Sequence, residues 1–272
     1  MSLSSRVAPA LQAGIGRLPV SLSMDAVEAG ARRYARMALR TRWLPLFRNA
    51  RAPAASDPAV VEDQFVLKVL NWLDEVRPFA LASASTIEIL GLAHLRAALE
   101  TRRGVVLVTG HFGFPPAIRA AFEATGTPWL TLRQFGLRDG AAALGTDPWA
   151  RVRALRQARA ALGQNHACLL LADGGHGATA RVPFLGGSLA LSLGAFALAR
   201  AARCPILPFF APLLGGPSRL RVEIEAPLPG PRVDSPDASD AQVFGGAARA
   251  FAALYEMYVR RYPSSRYWAG GR

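Results

Sequence analysis

The chain has 272 residues, 51% of them hydrophobic, and a formal net charge of +13. This size and apolar content allow one large domain, or a domain with a helical extension, and exclude wholesale disorder. The positive charge favours anionic partners, among them anionic lipid, an acidic carrier protein, coenzyme phosphates and nucleic acid. A solvated basic surface with no dedicated partner is the alternative interpretation. Cys168 and Cys204 lie in apolar stretches and are predicted to be reduced core residues.

Targeting and metal signals are weak. The apolar runs are broken by Arg, Pro or Gly before they reach the length of a membrane span, and the N-terminus does not have the pattern of a signal peptide. None of the four histidines pairs with a cysteine at a zinc-ligand spacing, so no metal is expected. We therefore expect a cytoplasmic protein, either free or attached peripherally to the inner face of the membrane.

The N-terminal third is predicted to be a helical extension. A basic helix is expected over residues 24–46 and a second helix over 58–76, joined by a linker at 49–58. The arginines of the first helix favour either attachment to an anionic membrane or packing on the protein itself, with the arginines in water. We place a boundary so that residues 1–85 form the extension and residues 86–272 the main domain, and we expect the two to form one compact unit.

From residue 86 onward, strands alternate with helices. The predicted elements are strand 86–90, helix 92–102, strand 104–109, helix 115–125, strand 128–132, helix 149–163, strand 167–172, helix 189–202, strand 205–211, strand 219–225 and helix 241–262. This alternation is typical of an α/β layered fold with a mostly parallel central sheet. Small residues on helix 189–202 fit either close helix–sheet packing or the wall of an acyl-chain groove.

The stretch VVLVTGHFGFPPAIRAAF, residues 105–122, is the first candidate for a site. His111 follows the end of a predicted strand, where ligands bind in parallel α/β sheets. Gly110 and Gly113 allow a sharp turn, and Pro115 or Pro116 suits the first turn of a helix. A lone histidine in this position is either a catalytic base or a structural residue, and the spacing by itself favours the structural role.

Three blocks support the catalytic interpretation. They are IEILGLAHLRAALETRRGVVLVTGHFG (87–113), LLLADGGHGATARVPFLGGSLALSLGAFALARAARCPILPFF (169–210) and RRYPSSRYW (260–268). In this order they resemble the bacterial lipid A biosynthesis acyltransferases, a lysophospholipid acyltransferase-like family, over roughly residues 25–268. The resemblance implies a glycerolipid-acyltransferase-like fold and transfer of an acyl group from a carrier-protein or coenzyme A thioester to a hydroxyl, with His111 as general base.

The chain departs from the family at one position. The family signature is a histidine followed five residues later by Asp or Glu, and here that position is Pro116. Proline cannot orient the imidazole or balance its charge. Three explanations stay open: another carboxylate, Glu123 or Asp173, takes the role; His111 acts without a carboxylate on an easier acceptor, such as an amine; or the protein does not transfer acyl groups.

The resemblance also implies further site residues. Asp173 is either a polar active-site residue or a turn former, and we include it with His111 as catalytic. Gly186 and Gly187 are either a source of oxyanion-hole N–H groups or a loop that needs positive φ. Arg133 is either an anion-binding residue or a surface arginine. The predicted substrate-binding set is Phe112, Gly113, Arg133, Phe184, Gly186 and Gly187.

The resulting expectation is an acyltransferase acting on a hydroxyl or amine acceptor, with an acyl thioester as co-substrate and no cofactor. Its partners would be an acyl carrier protein or acyl-coenzyme A, and an anionic membrane surface. The alternative is a homologue that binds acyl groups or lipid without catalysing their transfer. A nucleic acid is not expected as a partner, because charge is the sole feature that suggests one.

Overall fold

A computed structural model gives the architecture of the chain. It describes residues 28–33, 36–37, 59–60, 62–64, 66–67, 86–113, 115–133, 142–143, 148–173, 177–214, 219–230 and 239–266. Within these residues the protein is a mixed α/β structure built on a mostly parallel sheet. Among the helices of these ranges, none is both long and apolar enough to cross a membrane.

Nine strands and five labelled helices organise the described part of the chain after residue 85. The strands are β1 Thr86–Leu90, β2 Val105–Thr109, β3 Trp129–Arg133, β4 Ala142–Ala143, β5 Ala167–Leu171, β6 Thr179–Phe184, β7 Gly187–Ser192, β8 Ile206–Phe210 and β9 Arg219–Ile224. The helices are α1 Leu92–Glu100, α2 Pro115–Thr125, α3 Pro148–Gly163, α4 Gly194–Ala202 and α5 Asp240–Arg261, followed by a short 3-10 turn at Pro263–Ser265.

Seven strands form the main sheet in the order β1-β9-β8-β2-β5-β3-β4. Strands β8, β2, β5, β3 and β4 run in one direction, whereas β9 is antiparallel to β8 and β1 is parallel to β9. The carboxyl ends of β2, β5 and β8 therefore meet at one edge of the sheet. Strands β6 and β7 form a separate antiparallel hairpin.

The central strand β2 is buried on both faces, which explains its unbroken VVLVT sequence. Val106 and Val108 pack on one side with α3, α4, α5 and the β6–β7 hairpin. Val105 and Leu107 pack on the other side with α1, α2 and buried residues of the N-terminal extension. The result is two apolar layers around one sheet.

Strand β9 carries the alternation predicted for RLRVEIE, with one exception. Leu220, Val222 and Ile224 are all buried. Glu223, on the opposite side of the strand, is also buried, because the Tyr258 hydroxyl of α5 lies 2.7 Å from its carboxylate. Alternation predicts which side chains share a face, but helix α5 decides that this second face is covered.

The other strands and helices after residue 85 lie where the sequence predicts them, except for the short strand β4 and residues 179–192, where strands form that were not predicted. The observed bounds of the predicted elements differ by no more than two residues, apart from the helix expected at 189–202. That prediction is wrong over residues 189–193, which belong to the unpredicted hairpin; the helix begins at Gly194. Leu189 and Leu191 alternate with small residues, and two positive-φ residues at the tip close the turn, a local pattern typical of a hairpin.

The small residues that were expected on one face of this helix lie in two different elements, β7 and α4. Ala190 lies in β7, whereas Ala195 and Ala199 are buried in the core on α4. Gly194 and Ala197 are exposed. The buried alanines fit helix–sheet packing, and because Ala199 also lines an apolar cavity between α4 and α5, the acyl-groove interpretation stays a prediction.

The described residues of the N-terminal extension are helical, and ion pairs connect them to one another. Arg32 lies 2.8 Å from Glu28 and 2.6 Å from Asp63, and Arg36 lies 3.0 Å from Glu62. Ser264, near the C-terminus, donates to Asp63 at 3.0 Å. These contacts favour packing of the extension on the protein, so Arg32 and Arg36 are engaged by acidic groups.

Candidate active site

The strand register brings His111 and Asp173 together. In the parallel pair of β2 and β5, Thr109 lies opposite Leu171. His111 and Asp173 each lie two residues after this pair, so the strand register places them side by side beyond the carboxyl ends of β2 and β5. The amide of Ala172 donates to the carbonyl of Thr109 at 2.8 Å and extends the ladder to the turn. His111 and Asp173, which are distant in sequence, therefore come into contact because β2 and β5 are adjacent in the sheet.

The pair has the geometry of a histidine–carboxylate dyad. The Nδ1 atom of His111 lies 2.7 Å from Oδ1 of Asp173, and the backbone N–H of His111 donates to Oδ2 at 2.7 Å. The two contacts hold the imidazole and its own backbone against one carboxylate. With Nδ1–H donated to Asp173, Nε2 is the basic atom of the ring. The His111 side chain is 32% exposed and that of Asp173 is 8% exposed, so the base is accessible and its partner is covered.

Tyr255 of α5 provides a third hydrogen bond to the carboxylate. Its hydroxyl donates to Oδ2 of Asp173 at 3.0 Å. The approach of this tyrosine requires a glycine at position 110, because a Cβ there would lie 2.4 Å from Cζ of the Tyr255 ring. Gly110 is therefore needed for close packing of helix α5 on the end of β2.

The pKa values of the three groups follow from these contacts. The hydrogen bond that His111 donates to Asp173 raises the pKa of His111 above its ordinary value, against the opposing effect of burial. Burial alone would raise the pKa of Asp173, but the hydrogen bonds from His111 and Tyr255 outweigh it and hold that pKa low. Burial and the neighbouring negative charge raise the pKa of Tyr255, which keeps the phenol protonated as a donor.

The C-terminal segment after α5 forms one wall of the site. Ser265 is fully buried; its carbonyl accepts from the amide of Gly113 at 2.5 Å, and its hydroxyl accepts from the amide of Leu213 at 2.9 Å. The next residue, Arg266, forms an isolated antiparallel bridge with Phe112. The loop that carries His111 is therefore held between the end of β8 and the C-terminal segment.

Two aromatic residues of the predicted substrate-binding set lie in the core beside the dyad. Phe112 is 3% exposed and packs edge-to-face against Phe210, Tyr255 and Tyr258. Phe184 is 5% exposed, with its ring centroid 5.1 Å from that of Tyr255. Both rings pack against Tyr255, so they lie in the core beside the dyad and not on an open surface.

The three predicted glycines have different roles. Gly113 has φ +83°, and a Cβ there would lie 2.0 Å from the carbonyl oxygen of Ala211, so any side chain would collide with the chain after β8. Gly186 has φ +75° at the hairpin tip, and Gly187 pairs with Phe184 as the first residue of β7. The turn needs positive φ, as one interpretation expected; an oxyanion role for its N–H groups stays a prediction.

The other predicted residues lie apart from the dyad or outside the described side chains. Glu123 is exposed on α2, and Asp173 rather than Glu123 contacts His111. Arg133 is the last residue of β3 and Pro116 lies in the first turn of α2, but their side chains are outside the described set. Arg133 therefore stays a prediction.

Sequence reasoning missed Tyr255 and Arg266. Tyr255 lies in a helix predicted as a whole, and its neighbours Phe251 and Tyr258 share its buried face at helical spacing. That apolar stripe is a visible signal for a core-facing tyrosine, whose hydroxyl needs a partner when buried. Arg266 lies within the C-terminal block RRYPSSRYW, but no local pattern distinguishes it from the other arginines.

The environment of the two cysteines disfavours the thiolate form. Burial raises the pKa of Cys168 to about 12 and that of Cys204 to about 11, so neither is a thiolate at neutral pH. Within the ranges that the structure describes, no group of three or more His, Cys, Asp or Glu residues could hold a metal ion. The chemistry that the described dyad can supply is proton transfer at Nε2 of His111.

These features define an α/β protein with a histidine–aspartate dyad at the carboxyl edge of a mostly parallel sheet. No protein-family model and no curated protein sequence matches this chain. The resemblance to the lipid A acyltransferases therefore stays a prediction, carried by the three sequence blocks. The dyad itself is the feature on which a functional proposal rests.

Proposed function

We propose that this protein is an acyltransferase that moves an acyl group from a carrier-protein or coenzyme A thioester to a hydroxyl or amine acceptor. The observation that carries the proposal is the contact of 2.7 Å between Nδ1 of His111 and Asp173. In this proposal Asp173, in the turn after the neighbouring strand β5, takes the role of the acid that is missing at position 116. Of the three explanations for Pro116, the geometry favours the first, with Asp173 as the substitute carboxylate.

The chemistry follows from the two ring nitrogens. Nε2 of His111 removes the proton of the acceptor hydroxyl or amine as that atom attacks the thioester carbonyl. Asp173 accepts the Nδ1–H bond and stabilises the imidazolium that forms. Collapse of the tetrahedral intermediate breaks the carbon–sulfur bond, and the imidazolium returns its proton to the departing thiolate. The products are the acylated acceptor and the free thiol.

The basic composition supports a phosphate-bearing acyl donor. Coenzyme A and acidic carrier proteins both present negative charge, and the chain has a formal net charge of +13. Arg133, at the carboxyl end of β3, is the residue predicted to hold such a group. An anionic membrane surface would satisfy the same charge and is retained as a proposed partner.

The test is thiol release from a panel of acyl-coenzyme A and acyl-carrier thioesters, each with hydroxyl and amine acceptors. His111→Ala is expected to lower acceptor-dependent release by about 10²–10⁴-fold, because the general base is lost. His94→Ala is the matched control, since His94 is an exposed histidine on α1. The product mass identifies the acceptor class.

The alternative function, an acyl-binding protein without turnover, gives a different result. It predicts saturable binding of acyl ligands, unchanged in His111→Ala, and no thiol release from the wild-type protein with any acceptor. Pro116→Glu separates the two proposals further. If Asp173 serves as the acid, adding a carboxylate at position 116 is not required for activity, whereas activity that appears only in Pro116→Glu would contradict the proposal.

A further inference from the structure

Arg266 lies beside the loop that carries His111. Its backbone bridges that of Phe112, the residue directly after His111, and the preceding residue, Ser265, is fully buried. The backbone at this point is therefore tied to the site on both sides. Arg266 itself is half-buried.

The guanidinium is held in place by an aromatic ring. Its central carbon lies 4.9 Å from the ring centroid of Phe184, a cation–π contact. The Phe184 centroid in turn lies 5.1 Å from that of Tyr255. Phe184 thus packs against both the cation and the tyrosine, and this shared contact brings the guanidinium close enough to the Tyr255 hydroxyl to oppose the rise of its pKa.

The donor count fixes the direction of hydrogen bonding at Tyr255. A guanidinium has N–H donors and no acceptor, so toward Arg266 the Tyr255 oxygen can only accept. The single phenolic hydrogen is then directed to Oδ2 of Asp173, 3.0 Å away. Oδ2 also accepts the backbone N–H of His111, and Oδ1 accepts Nδ1–H. The Asp173 carboxylate thus accepts three hydrogen bonds, two from His111 and one from Tyr255. Together they restrain its rotation about the Cβ–Cγ bond.

We propose that Arg266 is a positioning residue: it orients the hydroxyl of Tyr255 toward Asp173 and through it holds the carboxylate against His111. Arg266 does not have to touch a substrate for this role. Its contribution to turnover rests on the proposed acyl transfer, whereas its effect on the protonation of His111 does not.

The electrostatic consequence has a definite sign. Within the described residues, Tyr255 of α5 is the titratable group that contacts Asp173 besides His111, and the charge of Arg266 from the C-terminal segment acts on Tyr255. The cation disfavours a second positive charge nearby, and the Tyr255 hydrogen bond shares the charge of Asp173. Both effects limit how far Asp173 raises the pKa of His111. Removing Arg266 or the Tyr255 hydroxyl is therefore expected to raise that pKa further.

The test is an NMR titration of the His111 imidazole in the full chain, with His111→Asn used to assign the resonance. Arg266→Gln is expected to raise the pKa of His111 by about 0.5. In a Tyr255→Phe background the same substitution is expected to have a smaller effect, because the hydroxyl that transmits it is absent. Arg261→Gln is the matched control, since Arg261 also stacks on an aromatic ring, at 5.1 Å from that of Tyr262.

Two results would overturn the inference: an unchanged His111 pKa in folded Arg266→Gln, or an equal rise with and without the Tyr255 hydroxyl. If Arg266→Gln does not fold, Arg266→Met replaces it, because methionine removes the charge and the N–H donors and keeps an apolar side chain that can pack on Phe184; the same dependence on Tyr255 is expected. The chemical shifts of His94 and His166 report whether the fold is intact.

The thiol-release assay separates this inference from the proposed function. If the His111 pKa changes as expected in Arg266→Gln but the wild-type protein releases no thiol, the role of Arg266 is supported and acyl transfer is rejected. A protein with His111-dependent release and an unresponsive pKa retains the function and rejects the role of Arg266.

Discussion

At the scale of single residues, the environment of His111 gives its two ring nitrogens different tasks. Nδ1 is bound to a carboxylate that is 8% exposed, whereas the ring as a whole is 32% exposed. A base needs this asymmetry, because one nitrogen must be held in a defined tautomer while the other meets the substrate. The buried hydroxyl of Tyr255 adds a donor to the carboxylate and so contributes to the same restraint.

The pH dependence of activity follows from this pairing. His111 acts as a base when neutral, and Asp173 raises its pKa, so kcat/KM is expected to rise with pH through a midpoint above about 6.5. In Asp173→Asn the raising contact is lost and burial, which lowers the pKa, remains. The midpoint is therefore expected to move to lower pH while the plateau falls by about 10²–10⁴-fold.

Glu123→Gln is the matched control for this profile, because Glu123 is an exposed carboxylate on α2. Its profile is expected to match that of the wild-type protein. An Asp173→Asn midpoint identical to the wild-type midpoint would show that Asp173 does not set the protonation of His111.

At the scale of elements, the site depends on how closely helix α5 approaches the end of β2. Gly110 follows the last residue of the strand, and the Tyr255 ring occupies the space that a side chain would need. The hairpin reaches the same helix from another direction, through Phe184 and through the amide of Leu185, which donates to Glu256 at 2.8 Å. Helix α5 therefore connects the hairpin to the dyad.

Gly110→Ala is expected to displace the Tyr255 ring, because the added Cβ would lie 2.4 Å from Cζ. Overpacking of this kind costs about 1–3 kcal/mol, so urea denaturation should show a lower free energy of unfolding together with reduced thiol release. Gly163→Ala is the control: its Cβ would meet nothing within 4 Å at the end of α3, and alanine favours helix. Unchanged stability in Gly110→Ala would contradict the close approach.

At the scale of the whole molecule, the described part of the extension and the α/β part share one apolar layer. Val66 and Leu67 are fully buried and cluster with Ile118 and Phe122 of α2. Gln64 also donates to the carbonyl of Pro263 at 3.2 Å, near the C-terminal wall of the site. The packing joins regions distant in sequence, so the stability of the site is coupled to the extension.

Leu67→Ala is accordingly expected to destabilise the whole protein, by about 2–5 kcal/mol, because a fully buried leucine leaves a cavity. Thermal unfolding should remain a single transition at a lower Tm. Met257→Ala serves as the comparison, since Met257 is 46% exposed on α5 and its truncation should change the Tm little. A low-temperature transition confined to the extension would show instead that the two parts unfold separately.

Most of the secondary structure after residue 85 was predictable, because it is written in local patterns. The all-apolar run of β2 and the alternation of β9 are properties of consecutive residues. The β6–β7 hairpin was missed because VPFLGGSLALSLGAF has small and apolar residues that suit a helix as well as a strand. Its turn depends on positive φ at Leu185 as well as Gly186, and a leucine does not signal that conformation.

The candidate site was predictable in part. His111 was identifiable from its place after a strand and from the family resemblance, and Asp173 was one of two carboxylates considered. The choice between Asp173 and Glu123 was not available from the sequence, since each is a single acidic residue at a distance along the chain. Arg266 was not identifiable, because its role depends on the ring of Phe184 and the hydroxyl of Tyr255, two residues from other elements.

The sequence by itself therefore determined the α/β pattern, the mostly parallel sheet and the position of His111, because periodicity and turn residues act over a few neighbouring positions. Only the tertiary structure decided that β5 lies beside β2 and that α5 and the C-terminal segment close over their ends. Strand pairing joins residues 62 positions apart in the His111–Asp173 contact. Such a pairing is selected by the packing of the whole core, and the partner of His111 is decided with it.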